Sequence, residues 1–157
     1  MKPFIKWAGG KRWLLDNELM SLPSFDGRYF EPFLGGGAVF FHLAPARAVL
    51  SDANPRLIET YIAIRDDWQR VVTLLESMQK LHSKSFYYAE RDRVRLKPHT
   101  RAAQFLYLNR TCWNGLYREN LRGKFNVPIG TKTQVVLPDD NFSETSKLLQ
   151  NADIRAC

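Results

Sequence analysis

Residues 28–52 read RYFEPFLGGGAVFFHLAPARAVLSD, and this stretch decides the fold. Arg28 to Leu34 is an apolar, aromatic-rich run, expected to form a buried strand that leads directly into Gly35-Gly36-Gly37. Ala38 to Leu43 reads as a helix stopped near Pro45, and Ala48 to Asp52 as a second short strand ending on an acid. Strand, glycine loop, helix and strand make one βαβ unit of a doubly wound parallel sheet. Glycines let backbone pass close beneath a ligand, and a following helix offers free N–H groups to it. An acid at the end of the next strand suits two ribose hydroxyls. The unit is a generic adenosine-cofactor site, although alone it also reads as a tight strand-to-helix turn beside a solvated acid. A nicotinamide fingerprint would need a further glycine where Phe40 stands, which argues against a dehydrogenase.

Beyond Asp52 the pattern turns helical. Asn54-Pro55 opens a helix carrying Leu57, Ile58, Tyr61, Ile62 and Ile64 at helical spacing. A second helical stretch runs from Asp67 to about Leu81, with Val71, Val72, Leu75 and Met78 on one face. Phe86 to Val94 is expected to be helical, Lys97-Pro98 to break it, and Thr100 to cap a helix over Arg101 to Arg110. Cys112 to Lys132 holds Gly115, Gly123, Pro128 and Gly130 and reads as a long structured loop or hairpin, a kind of segment usually functional. Asn141 to Gln150 is a last helix, and Asp153 to Cys157 begins another strand.

The 157 residues are of single-domain size, with 45% hydrophobic and 25% charged side chains, an ordinary globular balance. No apolar run approaches the ~18 to 20 residues that span a bilayer. The first eleven residues lack the apolar core of a secretory signal, and Cys112 and Cys157 suggest no disulfide framework. A reducing, cytoplasmic compartment is therefore expected. His42, His82 and His99 show no ligand spacing, so no metal site is expected. The net charge of +7 is concentrated. Residues 1–12 carry Lys2, Lys6, Lys11 and Arg12 for a net +4. Residues 110–132 carry Arg110, Arg118, Arg122, Lys124 and Lys132 against Glu119 for another +4, leaving the other 122 residues at −1. Local basicity of this kind points to a polyanionic partner.

Two further motifs lie in those basic segments. Lys6-Trp7-Ala8-Gly9-Gly10-Lys11 mimics part of a phosphate loop. Ile5 replaces its first glycine and Arg12 its Ser or Thr, which disfavours Mg-nucleotide binding and leaves Trp7 open to reading as a core anchor. Asn109-Arg110-Thr111-Cys112-Trp113-Asn114-Gly115-Leu116-Tyr117-Arg118, continuing through Gly123-Lys124-Phe125-Asn126-Val127-Pro128, interleaves aromatic, amide and basic side chains. These are the groups needed to wedge a base stack, bond a base edge and neutralise phosphates, although a turn-rich loop with Trp113 packed inward has the same composition.

Together KWAGGK, FEPFLGGGA, LSDANP and NRTCWNGLYREN…GKFNVPIG, in this order and spacing, resemble the adenine-N6 DNA methyltransferases of the DNA adenine methylase type. The resemblance runs through essentially the whole chain. It implies a Rossmann-like, S-adenosylmethionine-dependent methyltransferase fold, α/β with an incomplete sheet and a mainly helical DNA-recognition insertion. Residues 1–56 would be the cofactor-binding part, 57–138 the insertion and 139–157 the return to the methyltransferase domain. Trp7, Lys11 and Asp52 would contact S-adenosylmethionine, with Asp52 on the ribose and Gly35, Gly36 and Gly37 making room for the methionine portion. On duplex DNA, Lys6 would lie near a guanine, Trp113 would intercalate beside a flipped adenine and Asn114 would help fill the space left behind. Arg118 would read a guanine, Leu116 and Pro128 would touch a thymine methyl, and Lys124 would add to the DNA-binding face. A GATC-like target follows by the same resemblance, with restriction–modification among the possible roles.

One departure matters. The family's catalytic Asp-Pro-Pro-Tyr is missing, because no two of the eight prolines are adjacent. In the family its acid and a carbonyl accept hydrogen bonds from the adenine amine, and its aromatic stacks on the flipped base. No catalytic residue is therefore assigned within this chain, which reads as the truncated amino-terminal part of an enzyme and is expected to be inactive alone. A module that only binds cofactor or DNA is the alternative. A nucleotide-dependent oxidoreductase would have no use for the basic aromatic loop.

Overall fold

A computed structural model describes residues 1–11, 13, 15 and 24–157. Three parallel strands form its sheet: β1 (Tyr29–Glu31), β2 (Ala48–Asp52) and β3 (Ala152–Ala156), in the order β1-β2-β3. Tyr29 pairs with Ala48 on one side of the sheet, and Ala48 with Ala152 on the other. Helix α1 (Ala38–Leu43) crosses between β1 and β2. Its start is set by Gly37, a left-handed N-cap at φ +69°, and its end by Ala44 at φ +46° ahead of Pro45. The chain is thus a small α/β protein with the expected βαβ unit.

The strand β1 is shorter than expected. Pro32 has no N–H to extend the ladder, and the chain turns there into the glycine loop. The run is also not buried throughout: Phe30 and Phe33 are 64% and 78% exposed. Among the described strands β1 pairs only with β2.

Helix α2 (Pro55–Leu81) opens as the sequence indicates, with Asn54 Oδ1 accepting the Leu57 N–H at 3.0 Å and Pro55 in the first turn. Its two apolar stretches join across a kink at Asp67 (φ −152°, ψ +42°). Before the kink Leu57, Ile58, Tyr61 and Ile64 are buried, and after it Val71, Leu75 and Met78. Helix α3 (Lys84–Asp92) is capped by Ser83, whose Oγ accepts the Phe86 N–H at 3.1 Å. Helix α4 (Pro98–Thr111) begins three residues before the expected Arg101. Lys97 is its N-cap residue and Pro98 starts its first turn, where a fixed φ is already helical and the missing N–H would have no partner. Thr100 is therefore inside the helix, and its Oγ1 donates to the Lys97 carbonyl at 2.9 Å. Residues Ala102 to Thr111 are all buried, so α4 is the central pillar against which α2 packs.

The segment after α4 is a hairpin rooted on the helix end. Cys112 and Ile129 form an antiparallel bridge near its base, and Glu119 and Phe125 another near its tip. Tyr87 of α3 braces it by donating to the Val127 carbonyl at 2.9 Å. Helix α5 (Phe142–Leu149), capped by Asn141, then leads into β3 and packs on α2 through Ser146 Oγ, which donates to the Arg65 carbonyl at 2.7 Å. At the opposite end of the chain Phe4 enters the core, with edge-to-face contacts to Phe41, Tyr61 and Phe142 at 5.2 to 6.0 Å. No helix among the described residues is long and apolar enough to cross a membrane.

Candidate functional site

The glycine loop, the acid ending β2 and the N-terminal segment meet at one place. The Gly35 N–H donates to Asp52 Oδ2 at 2.9 Å, and the Asn54 N–H to Asp52 Oδ1 at 3.0 Å. Each carboxylate oxygen keeps lone-pair capacity for a further donor, as a bound diol requires. The Tyr61 hydroxyl supports the loop from below, donating to the Gly35 carbonyl at 3.0 Å. Burial, then the charges of Glu31 and Asp52, push that hydroxyl well above its ordinary pKa, so it remains a donor.

Gly35 sits at φ +51°, and a Cβ there would lie 2.9 Å from Trp7 Cδ1. Only glycine lets the loop run directly beneath the indole. Trp7 in turn stacks on Tyr117 (5.4 Å between centroids, 26°) and Phe105 (6.3 Å, 23°). It therefore packs as an anchor that covers the glycine loop. Gly36 and Gly37 are also closed in, by the Ile5 carbonyl and by Phe41 with the Tyr61 hydroxyl, each 3.0 Å from a would-be Cβ. Lys11 approaches the same loop. Its ammonium pairs with Glu31 at 2.9 Å and donates to the Phe33 carbonyl at 3.3 Å. Glu31 is only 3% exposed and also accepts the Tyr29 hydroxyl at 3.0 Å.

The hairpin presents the second group of side chains. Trp113 is 53% exposed, in a 3₁₀ turn (Trp113–Gly115), and its N–H is held by the Pro128 carbonyl at 2.9 Å. The inward-packed alternative for Trp113 is not what forms. Asn114 (φ +54°) and Gly115 (φ +61°) are both left-handed, which makes the sharp reversal that turns the indole outward. Asn114 and Pro128 are exposed, and Leu116 is half-buried with its carbonyl accepting Cys112 Sγ at 3.4 Å. Burial raises the Cys112 thiol to about 11. Arg118 is exposed, and its Nε donates to Asn126 Oδ1 at 2.9 Å. That brace leaves both terminal nitrogens of Arg118 without a partner among the described residues. Lys124 pairs at 3.2 Å with Asp92 on α3. The Lys6 stem lies on Gly115, where a Cβ would be 2.6 Å from Lys6 Cδ.

Lys6, Trp7, Gly36 and Asn114 thus line a common cavity of about 680 Å³, together with Trp13 and Lys132. Its size suits a nucleotide-scale ligand. Among the described residues no group of three or more His, Cys, Asp or Glu side chains is placed to hold a metal ion.

The basic surface needs one correction. Arg110 was counted in it, yet its guanidinium is buried and forms a bidentate pair with Asp140 at 2.6 and 2.7 Å. It also donates to the Val135 carbonyl at 2.6 Å and the Phe4 carbonyl at 2.9 Å. Arg110 is therefore a structural cation. Lys2 and Lys11 are each paired with an acid, while Arg12 lies outside the described residues. The exposed positive charge of the hairpin is Arg118, Arg122, Lys124 and Lys132. Sequence reasoning placed Asn109 and Tyr117 in the basic aromatic motif and Tyr61 on a helix face, but not the loops they support. A tyrosine or asparagine inside a helix or turn carries no local sign of the loop it supports.

Comparison with known proteins adds a family. Residues 7–157 match the D12 class N6 adenine-specific DNA methyltransferases. The chain is 39% identical over 162 residues to the type II methyltransferase M1.LlaDCHI of Lactococcus lactis subsp. cremoris, covering 99% of this chain and 57% of that protein. It is 38% identical over 176 residues to the type II methyltransferase M.MjaIII of Methanocaldococcus jannaschii, covering 98% and 61%. Against the DNA adenine methylase of Escherichia coli (strain K12) identity is 36% over 155 residues, covering 96% and 55%. The chain spans little more than half the length of these relatives. With a match along all but its first six residues, it belongs to the D12 class N6 adenine-specific DNA methyltransferases.

Proposed function

We propose that this chain is the cofactor- and DNA-binding portion of an S-adenosylmethionine-dependent methyltransferase acting on N6 of adenine in duplex DNA, in a GATC-like site. The observation that carries the reading is the packing of Trp7 on Gly35 while Gly35 is tied to Asp52. This joins the KWAGGK segment, the glycine loop and the strand-end acid into one cradle. The residues present fit the cofactor: both Asp52 oxygens have lone pairs to spare, and the glycines let the loop lie close under Trp7, Ile5 and Phe41. When bound, S-adenosylmethionine supplies an electrophilic methyl group.

In this reading the fold is Rossmann-like, with residues 57–138 forming the DNA-recognition insertion between 1–56 and 139–157. Asp52 holds the ribose hydroxyls, Trp7 and Lys11 flank the cofactor, and Gly35 to Gly37 border its methionine portion. On the hairpin, Trp113 wedges beside the flipped adenine and Asn114 occupies part of the gap. Arg118 addresses guanine O6 and N7 with its two terminal nitrogens, which have no partner among the described residues, a bidentate pattern. Leu116 and Pro128 contact a thymine methyl, and Lys6 and Lys124 add positive charge. Asp-Pro-Pro-Tyr is not among the 157 residues, so we propose that they bind without transferring a methyl group.

Calorimetry on the chain tests this. S-adenosylmethionine should bind and NADH should not, and Asp52→Ala should weaken binding by about 1–3 kcal/mol, the value of hydrogen bonds to a charged group. Affinity for duplex should fall steeply with salt through counterion release. NADH binding without S-adenosylmethionine binding, or salt-independent duplex affinity, would end the reading. A tritiated-methyl assay on the same chain should give no turnover.

A further inference from the structure

We propose that Asn109 is a positioning residue that couples the cofactor cradle to the DNA-facing hairpin, so that each ligand strengthens binding of the other. The proposal rests on the methyltransferase reading above and deepens it.

Asn109 lies near the end of α4 and is 3% exposed. Its Oδ1 accepts the Lys6 N–H at 3.0 Å, and its Nδ2 donates to the Lys6 carbonyl at 2.7 Å. One carboxamide therefore pairs with both backbone groups of a residue 103 positions away, as a neighbouring strand would. The same Nδ2 lies 3.5 Å from the Gly115 carbonyl, within the turn that exposes Trp113. Packing closes the same joint from outside, because a Cβ on Gly115 would meet Lys6 Cδ at 2.6 Å and the Asn109 carbonyl at 3.3 Å.

Lys6 is followed by Trp7, whose ring rests on Gly35 of the cradle. The contact path thus runs from the glycine loop through Trp7 and the Lys6 backbone to Asn109, and from there to the turn bearing Trp113. Its steps are the packing of Trp7 on Gly35, the peptide bond to Lys6, the paired Asn109 hydrogen bonds and a longer 3.5 Å approach to the Gly115 carbonyl. A ligand that settles Trp7 on the glycine loop fixes the Lys6 backbone, and hence the turn that DNA must engage. By linkage, DNA that fixes the turn must tighten cofactor binding by the same factor.

The test measures the dissociation constant of S-adenosylmethionine by calorimetry, with and without a saturating GATC-containing duplex. It is run on the unaltered chain, Asn109→Ala and Gly115→Ala. In the unaltered chain the duplex should tighten cofactor binding within the usual coupling range of about 5- to 150-fold. In both variants the ratio should fall toward one, while cofactor affinity without DNA changes less than about threefold. A residue that merely stabilised the fold would shift melting and both affinities together and leave the ratio intact. Gly115→Ala strikes the joint from the hairpin side and leaves Asn109 in place, so the test survives if Asn109→Ala does not fold. A ratio near one in the unaltered chain, or an unchanged ratio in the variants, overturns the coupling while the methyltransferase reading stands. Failure of the unaltered chain to bind either ligand refutes both.

Discussion

Removing Asp140 should unfold this protein far more readily than its loop position suggests. The side chains of Arg110 and Asp140 are 5% and 7% exposed, and two hydrogen bonds of 2.6 and 2.7 Å join them. Asp140 Oδ2 also accepts the Leu137 N–H at 2.8 Å. In Asp140→Ala the guanidinium keeps the Phe4 and Val135 carbonyls but loses its counter-charge in a buried setting. Breaking one side of a buried pair costs about 3–5 kcal/mol, against about 5–15 kcal/mol for a whole domain. Asp140→Asn should rescue little, because its amide nitrogen would face a guanidinium N–H, donor against donor. In a double variant, Arg110→Met with Asp140→Ala, no charge is stranded, but the Phe4 and Val135 carbonyls and the Leu137 N–H lose their partners. That double variant should be less stable than the parent, yet better than the sum of the single effects by about 0.5–3 kcal/mol. Urea unfolding followed by tryptophan fluorescence gives all four corners of the cycle. A cost below about 1 kcal/mol for Asp140→Ala, the value of an exposed pair, would refute the claim that Arg110 is a buried structural cation.

Three further outcomes follow from particular contacts. Gly35→Ala puts a Cβ 2.9 Å from Trp7 Cδ1 at φ +51°; it should cost about 1–2 kcal/mol in stability through the left-handed backbone alone and weaken S-adenosylmethionine binding, read by melting and calorimetry. Cys112 is buried with its thiol raised to about 11, whereas Cys157 is exposed, so a thiol reagent at mild pH should modify one cysteine in the native chain and both in urea. His82 is held below its ordinary 6.5 by burial, with Nδ1 2.8 Å from the Tyr107 hydroxyl. The unfolded chain therefore takes up this proton first: His82 contributes fully above about pH 6.5 and loses that contribution as pH falls through the folded value. Urea midpoints should drop across that acidic window, and the drop should shrink in His82→Gln.

What local chemistry specifies was readable from the chain. Asn54-Pro55 announces a helix start because cap and proline act on the first turn alone, and the structure places Asn54 Oδ1 on the Leu57 N–H. The two strands flanking Gly35-Gly36-Gly37 were legible for the same reason, since apolar runs and left-handed glycines are properties of neighbouring residues. The Lys97-Pro98 dipeptide misled because proline can stop a helix or open one: α3 has already ended at Asp92, and Pro98 opens α4.

Partnership across long separations was not written in any single stretch. Arg110 looks like surface charge until Asp140, thirty positions later, folds over it, and burial then makes the pair structural. Asn109 looks like one more amide in a basic loop until the Lys6 backbone arrives from 103 residues away. Nothing in the stretch around Trp7 shows that Gly35 and Tyr117 close on its two sides. By itself the sequence determined the elements, the glycine loop and the local excess of positive charge, because each depends on residues a few positions apart. The tertiary structure alone decided which charges are buried, which aromatics are exposed and which segments are joined. Those properties belong to desolvation and contact between distant parts of the chain, and no local pattern encodes them.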